Sequence, residues 1–203
     1  RSYRDSRINR IFEGTNEINR LITVDSTLKK GMKHKIDLFE AANEVIENLD
    51  KLKPVETEGK DYYEIKHAFA SNLKKALLML LPVVSDTFKR QLVHEEAILM
   101  NISDMIMSVY VFESTLLRVE KLEKEGIKQD IKVYRDILDV LTRDTLQKTY
   151  SNAFDAIGSF AEGEQKDSLC NALRTLTKAD PTNVKESRRS IANKLNDDGL
   201  YKF

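Results

Sequence analysis

The chain has 203 residues with 33 basic and 33 acidic side chains, so its formal charge is zero, and hydrophobic residues make up 41% of it. The two signs are interspersed along the whole length, which argues against nucleic acid, whose phosphates need a surplus of Lys and Arg on one face. Only 7 glycines, 3 prolines and one cysteine occur; such sparse punctuation suits long helices, and the lone thiol excludes a disulfide framework and points to a reducing compartment, cytoplasmic, or mitochondrial in a eukaryote.

The first 30 residues differ from the rest, with five arginines among the first twenty and the irregular stretch Phe12-Glu13-Gly14-Thr15-Asn16. The start at Arg1, without Met or an apolar leader, reads as a fragment or processed piece of a longer protein. Thr15 or Asn16 is a good N-cap for a helix carrying Ile18, Leu21, Ile22 and Leu28. A second helix has the stripe Ile36, Phe39, Ala42, Ile46, Leu49 and Leu52 and stops at Pro54. A third runs from about Asp61 to Leu81, and the apolar run Ala76 to Val84 kinks or ends at Pro82.

The fourth segment carries the clearest signal. Ile98, Ile102, Met105, Val109, Phe112, Leu116, Val119 and Leu122 step by three or four without a miss, and Leu99, Ile106, Tyr110 and Leu117 widen the stripe. A helix apolar over so broad a sector is contacted by several others, so it is expected at the centre of a bundle, closing at Glu125-Gly126. The fifth segment shows Ile137, Leu141, Leu146, Tyr150, Phe154, Ile157 and Phe160. Two shorter helices follow, one with Leu169, Leu173 and Leu176, the other starting at Asp180-Pro181 with Val184, Ile191 and Leu195. No segment alternates with period two, and no apolar run approaches the ~18 residues that span a bilayer. The expected fold is an all-α, up-and-down helical bundle.

One stretch carries chemistry. Tyr3-Arg4-Asp5-Ser6-Arg7-Ile8, then Phe12-Glu13-Gly14-Thr15, then Ile18 and Arg20 closely resembles the C-terminal signature of the flavin-dependent acyl-CoA dehydrogenases. The remainder resembles the helical domain that very-long-chain members append, best from His94-Glu95-Glu96 through Val119, with a closing Gly199-Leu200 and Phe203. The resemblance implies residues 1–30 as the end of a catalytic domain and 31–203 as an appended bundle. It further implies a full-length parent that uses FAD to oxidise a long-chain acyl-CoA to the trans-2-enoyl-CoA in fatty acid beta-oxidation, with an electron-transfer flavoprotein as acceptor. The fragment alone is expected to be inactive and flavin-free, its first 15 residues irregular.

By the same resemblance Glu13 is the catalytic base, Phe12 and Gly14 border the substrate, and Thr15, Asn16 and Glu17 contact the flavin. Chemically, a carboxylate desolvated in an apolar pocket suits proton abstraction from carbon. Gly14 keeps side-chain bulk away from that carboxylate. A helix opening at Thr15 would offer amides and dipole to a pyrophosphate. Arg4, Arg7, Arg10 and Arg20 are expected to pair with Asp5, Glu17 and other acids.

The other signals are plainer. His94-Glu95-Glu96 lacks the second His of a zinc helix, so no metal is assigned. No nucleophile elbow supports a hydrolase. Lys29 to Lys35 ahead of the Ile36 stripe suggests a membrane surface, but Asp37, Glu40, Glu44, Glu47 and Asp50 make the polar face acidic, against contact with anionic lipid. The competing function is a helical module for homodimer formation or partner docking with no chemistry of its own.

Overall fold

The computed structural model describes residues 2–126 and 130–199. The closing Leu200 and Phe203 lie outside the described residues. Among these residues every regular element is helical. A short helix, α1 (Ser2–Asp5), and a 3-10 segment (Ser6–Arg10) lead into α2 (Asn16–Met32) and α3 (Leu38–Glu47). Then come α4 (Tyr62–Leu78), α5 (Leu80–Phe88), α6 (Glu96–Lys124), α7 (Ile131–Phe160), α8 (Gly163–Leu176) and α9 (Val184–Asp198).

The predicted central helix is central, although Tyr110 and Leu117, read as widening its stripe, are exposed. Ile98, Ile102, Met105, Val109, Phe112, Leu116, Val119 and Leu122 of α6 are all buried. They meet α2, α4 and α7, and the core divides into two ends. One end gathers Ile98 to Met105 with Val24 and Leu28 of α2, α5, the α7 residues Ala153, Ala156 and Ile157, and Leu169, Leu173 and Leu176 of α8. The other gathers Val109 to Val119 with Phe69 and Leu73 of α4 and Leu138 and Leu146 of α7. The pairing of early α6 with late α7 makes the two long helices antiparallel. Tyr63 with Glu123, His67 with Glu120 and Lys74 with Glu113 set α4 antiparallel to α6 as well. Up-and-down packing results. The segments 62–94 and 96–124 are long and apolar enough to cross a membrane by length and composition. In the fold much of that apolar surface is bundle core.

Four sequence expectations shift in register. On α2 the buried positions are Val24, Leu28 and Gly31, while Ile18 and Ile22 stay exposed. Either stripe fits a helical period, and the Arg20–Asp104 ion pair at 2.6 Å fixes the rotation that faces Val24 inward. The second helix is shorter than 36–52: Ile36 precedes it, exposed, and Leu49–Lys51 forms a separate 3-10 turn. On α7, Phe154 is exposed and Thr142, Thr145, Thr149, Ala153 and Ala156 are buried instead, so small side chains let α6 approach closely. The last helix begins at Val184 rather than Asp180-Pro181. Asp180 contributes its carbonyl to a turn with the Thr182 hydroxyl and does not cap a helix.

Pro82 falls in the first turn of α5, just past the break after Leu78, where its missing N–H costs least. Residue 30 lies within the last turn of α2, with Gly31 still buried, so no linker separates it from the bundle.

Beyond the end of the apolar core, α4, α6 and α7 are clamped by polar side chains. Arg135 donates to Glu123 at 2.8 Å, and the Tyr63 hydroxyl donates to the same carboxylate. Lys66, itself buried, pairs with Asp139 at 2.7 Å, which also accepts from the Tyr62 hydroxyl. Arg135 and Lys66 both lie over the Tyr62 ring. Burial and the bond to Glu123 push the Tyr63 phenol up to about 12. The hydrogen bonds from Arg135 and Tyr63 hold Glu123 below the usual carboxylate range.

Ile102→Asp places a charge among fully buried neighbours and is expected to cost roughly 4 kcal/mol or more, whereas exposed Lys124→Ala should stay within about 0.5 kcal/mol. Thermal melting of both variants checks this, and an unchanged Ile102→Asp midpoint would contradict a buried α6. A second expectation follows from Glu123. A lowered folded pKa contributes stability that is present above the unfolded value of about 4.3 and is lost as pH falls through the lower folded value. Urea titrations below pH 4.3 should therefore show a shallower acid loss for Glu123→Gln than for the native chain. Equal slopes would mean that Glu123 carries none of it.

Candidate functional site

The residues singled out by motif lie together at the edge of the bundle, where the 3-10 segment turns into α2. Ile8 carbonyl accepts from the N–H groups of both Ile11 and Phe12, at 2.9 and 3.2 Å, which closes the last turn before the loop. Glu13 then takes φ +57° and Gly14 φ +91°. Two successive left-handed residues reverse the chain into α2. The Gly14 carbonyl is held by the Asn19 side-chain amide at 2.9 Å, and a Cβ on Gly14 would lie 2.9 Å from the Asn19 Oδ1. Gly14 is thus required by its backbone and by Asn19, a local reason that the sequence alone does not reveal.

Thr15 is the N-cap of α2, its Oγ1 accepting from the Ile18 N–H at 3.2 Å. The Glu17 carboxylate is held below its usual range by its own backbone N–H first and by the Thr15 hydroxyl second, with Arg20 adding a smaller pull. That carboxylate already occupies the positive end of the helix. The expected anion site is therefore partly satisfied from within. What Thr15 and Asn16 can still offer is neutral hydrogen bonding, and the Asn16 amide has no partner among the described residues.

Glu13 is exposed, and so are Phe12 and Ile11, the latter 67% exposed. The chain brings together Phe12, Glu13, Gly14, Thr15, Asn16 and Glu17, but it supplies no apolar enclosure around the carboxylate. Residues 3–14 form ordered short turns on the surface, more regular than the sequence suggests. The N–H groups of Glu13 and Gly14 have no hydrogen-bond partner among the described residues. Of the arginines, Arg4 sits 3.9 Å from Asp5 and Arg20 binds Asp104; the Asp104 pairing is long-range and invisible to sequence spacing. Among the described residues no group of three His, Cys, Asp or Glu side chains is placed to hold a metal.

A non-glycine residue in the left-handed region costs energy that nothing in this loop recovers, since the Glu13 side chain makes no bond among the described residues. His34 and Lys89 share the left-handed backbone, so Glu13 is set apart by the motif around it rather than by strain alone. The chain belongs to the acyl-CoA dehydrogenase family: residues 72–175 match its C-terminal domain, described as "Acyl-CoA dehydrogenase, C-terminal domain". A probable acyl-CoA dehydrogenase of Bacillus subtilis (strain 168) is 35% identical over 195 residues, which take in 95% of this chain and 32% of that protein. The crystal structure of an acyl-CoA dehydrogenase complexed with FAD from Bacillus anthracis superposes with a TM-score of 0.91 at 33% identity, over 99% of this chain and 34% of that one. The chain thus spans about a third of the length of each relative.

The strain can be tested by itself. Glu13→Gly relieves the left-handed penalty at an exposed position and should raise stability by about 0.5 kcal/mol after the entropy of the added glycine is counted. Guanidinium denaturation measures it. A loss of stability would show that the Glu13 side chain holds the turn.

Proposed function

We propose that this chain is the C-terminal third of a flavin-dependent acyl-CoA dehydrogenase of long- or very-long-chain preference, with residues 1–30 ending the catalytic domain and 31–203 forming the appended bundle. The observation that carries the reading is Glu13, exposed and held in a strained turn next to two unpartnered N–H groups. The family relationship and the motif over residues 3–20 support it.

In this reading the Glu13 carboxylate accepts the proton from the carbon alpha to the thioester of a bound acyl-CoA. The N–H of Glu13 faces the thioester carbonyl and stabilises the negative charge that gathers there. Phe12 covers the acyl chain, and Gly14 lets substrate approach the turn without a side chain in the way. Thr15, Asn16 and Glu17 would hold FAD, which when bound supplies the acceptor for the beta hydrogen as hydride. The product is the trans-2-enoyl-CoA, the chemistry of fatty acid beta-oxidation, with reducing equivalents passing to an electron-transfer flavoprotein. The apolar surround that raises a carboxylate toward the operating pH would come from the rest of the enzyme. The buried thiol of Cys170 fits a reducing compartment, cytoplasmic or mitochondrial.

A second reading has its own observation. On the outer face of α6, Met107, Tyr110, Val111 and Leu117 recur at helical spacing and are exposed, Tyr110 by 71%. An uncovered apolar stripe of this length favours assembly, either between two copies or against the catalytic portion.

Glu13→Gln in the full-length enzyme keeps the side chain's size but removes its capacity to accept a proton at neutral pH. Flavin reduction by a saturated acyl-CoA, followed by stopped-flow absorbance, should slow by about two to four orders of magnitude. Flavin content and enoyl-CoA binding should persist. Reduction at the native rate would place the base elsewhere.

A further inference from the structure

A second concave site lies away from the Glu13 turn, and its chemistry is not that of a proton-abstracting centre. It is a groove of about 1,010 Å³ between α4, α7, the end of α8 and the 177–182 connection. That size lies at the upper end of ordinary ligand sites, roughly 300–1,000 Å³. Its apolar lining is Ile65, Tyr150 and Pro181 with the edges of the core residues Phe69 and Leu146, which are only 7% and 6% exposed. Four cations reach the same space: Lys66, Arg143, Arg174 and Lys178, against the carboxylates of Asp139 and Asp180.

The cations are not equally engaged. Lys66 is neutralised by Asp139, and Arg143 leans on Asp144, which also accepts from Arg188. Arg174 has one contact, to the Asn171 side-chain oxygen. Lys178 has no side-chain partner among the described residues, and neither does the neighbouring Gln147 amide. Cations at a helix C-terminus ordinarily bond its last carbonyls. Here the Leu173 and Thr175 carbonyls are taken by the Thr177 and Lys178 backbone N–H groups and the Thr177 hydroxyl, and neither the Arg174 nor the Lys178 head bonds a carbonyl of α8 among the described residues.

The geometry points to a binding site for a small amphipathic anion, a short aliphatic body carrying one carboxylate or phosphate. The body lies along Ile65, Tyr150 and Pro181, and the head is met by Arg174, Lys178 and the Gln147 amide. The mixed lining offers contact to both parts of such a ligand, charge-assisted hydrogen bonds to the head and apolar surface to the body. This inference is independent of the acyl-CoA dehydrogenase reading and does not involve residues of the Glu13 turn.

The test uses the 203-residue chain with decanoate and decyl phosphate as probes, both below their micellar concentrations, and decanol, acetate and inorganic phosphate as partial ligands. Amide shifts in ¹H–¹⁵N spectra map the site and give the affinity. Saturable shifts centred on residues 142–150 and 174–182 are expected for the two amphiphiles, with weaker response to each partial ligand. Whichever head binds more tightly identifies the carboxylate or the phosphate class. The double variant Arg174→Gln/Lys178→Gln, both exposed positions, should weaken binding roughly tenfold or more, while Arg118→Gln on the outer side of α6 leaves it unchanged. Absence of saturable shifts in the native chain, shifts centred elsewhere, or equal binding of decanol would each overturn the proposal.

Discussion

Everything in this molecule hangs on the burial of α6 from several sides. A helix apolar over one stripe needs one neighbour; α6, with Ile98, Ile102, Met105, Val109, Phe112, Leu116, Val119 and Leu122 all enclosed, needs α2, α4 and α7 at once. That demand fixes the order of packing. It also explains why α7 presents threonines and alanines to the core. Two long helices that share most of their length must come close, and bulky residues on both would hold them apart.

Apolar packing alone leaves helices free to slide by a turn, because many stripes are nearly equivalent. The polar contacts at the end of the bundle remove that freedom. Glu123 accepts from both Tyr63 and Arg135, and Asp139 from both Lys66 and Tyr62, so Glu123 ties α6 to both α4 and α7, and Asp139 ties α7 to α4. A register shift by one turn would strand a buried or half-buried charge, a far greater penalty than mismatched methyl groups. Arg20 and Asp104 do the same for α2.

Where a helix buries mainly large apolar residues, its inward face was legible in the sequence, and α6 is the example: its stripe from Ile98 to Leu122 is enclosed, while Tyr110 and Leu117, read as widening it, face out. The α7 face was read through Phe154 and missed through Thr142 and Ala153, because periodicity of large hydrophobes ignores small residues that pack by shape. The α2 face was ambiguous until a partner 84 positions away chose between two stripes. The start of α9 was read too early, since Asp-Pro serves a turn as readily as a cap. At the candidate site, the acidic turn and the Thr15 cap were readable from local motif chemistry. The positive φ of Glu13, the Asn19 clamp on Gly14 and the self-satisfied Glu17 are backbone facts, and one-dimensional spacing does not encode them.

The attachment of α9 differs in kind from that of the other helices. Neither part of the apolar core includes any of its residues. Burial pushes the Asp136 carboxyl up, yet hydrogen bonds from Lys132, Ser190 and Ser187 hold it low, and Arg188 reaches Asp144 while Lys194 sits 3.9 Å from Asp130. A helix fastened chiefly by charges and hydroxyls on a half-wet face responds to ionic strength as α6 does not. Elements held by few buried apolar contacts lie toward the low end of a protein's local stability scale. An opening of α9 by itself would release Val184 and the polar fasteners while the rest of the bundle stays closed. Because the 177–182 segment leads directly into it, that opening also loosens one wall of the cationic groove.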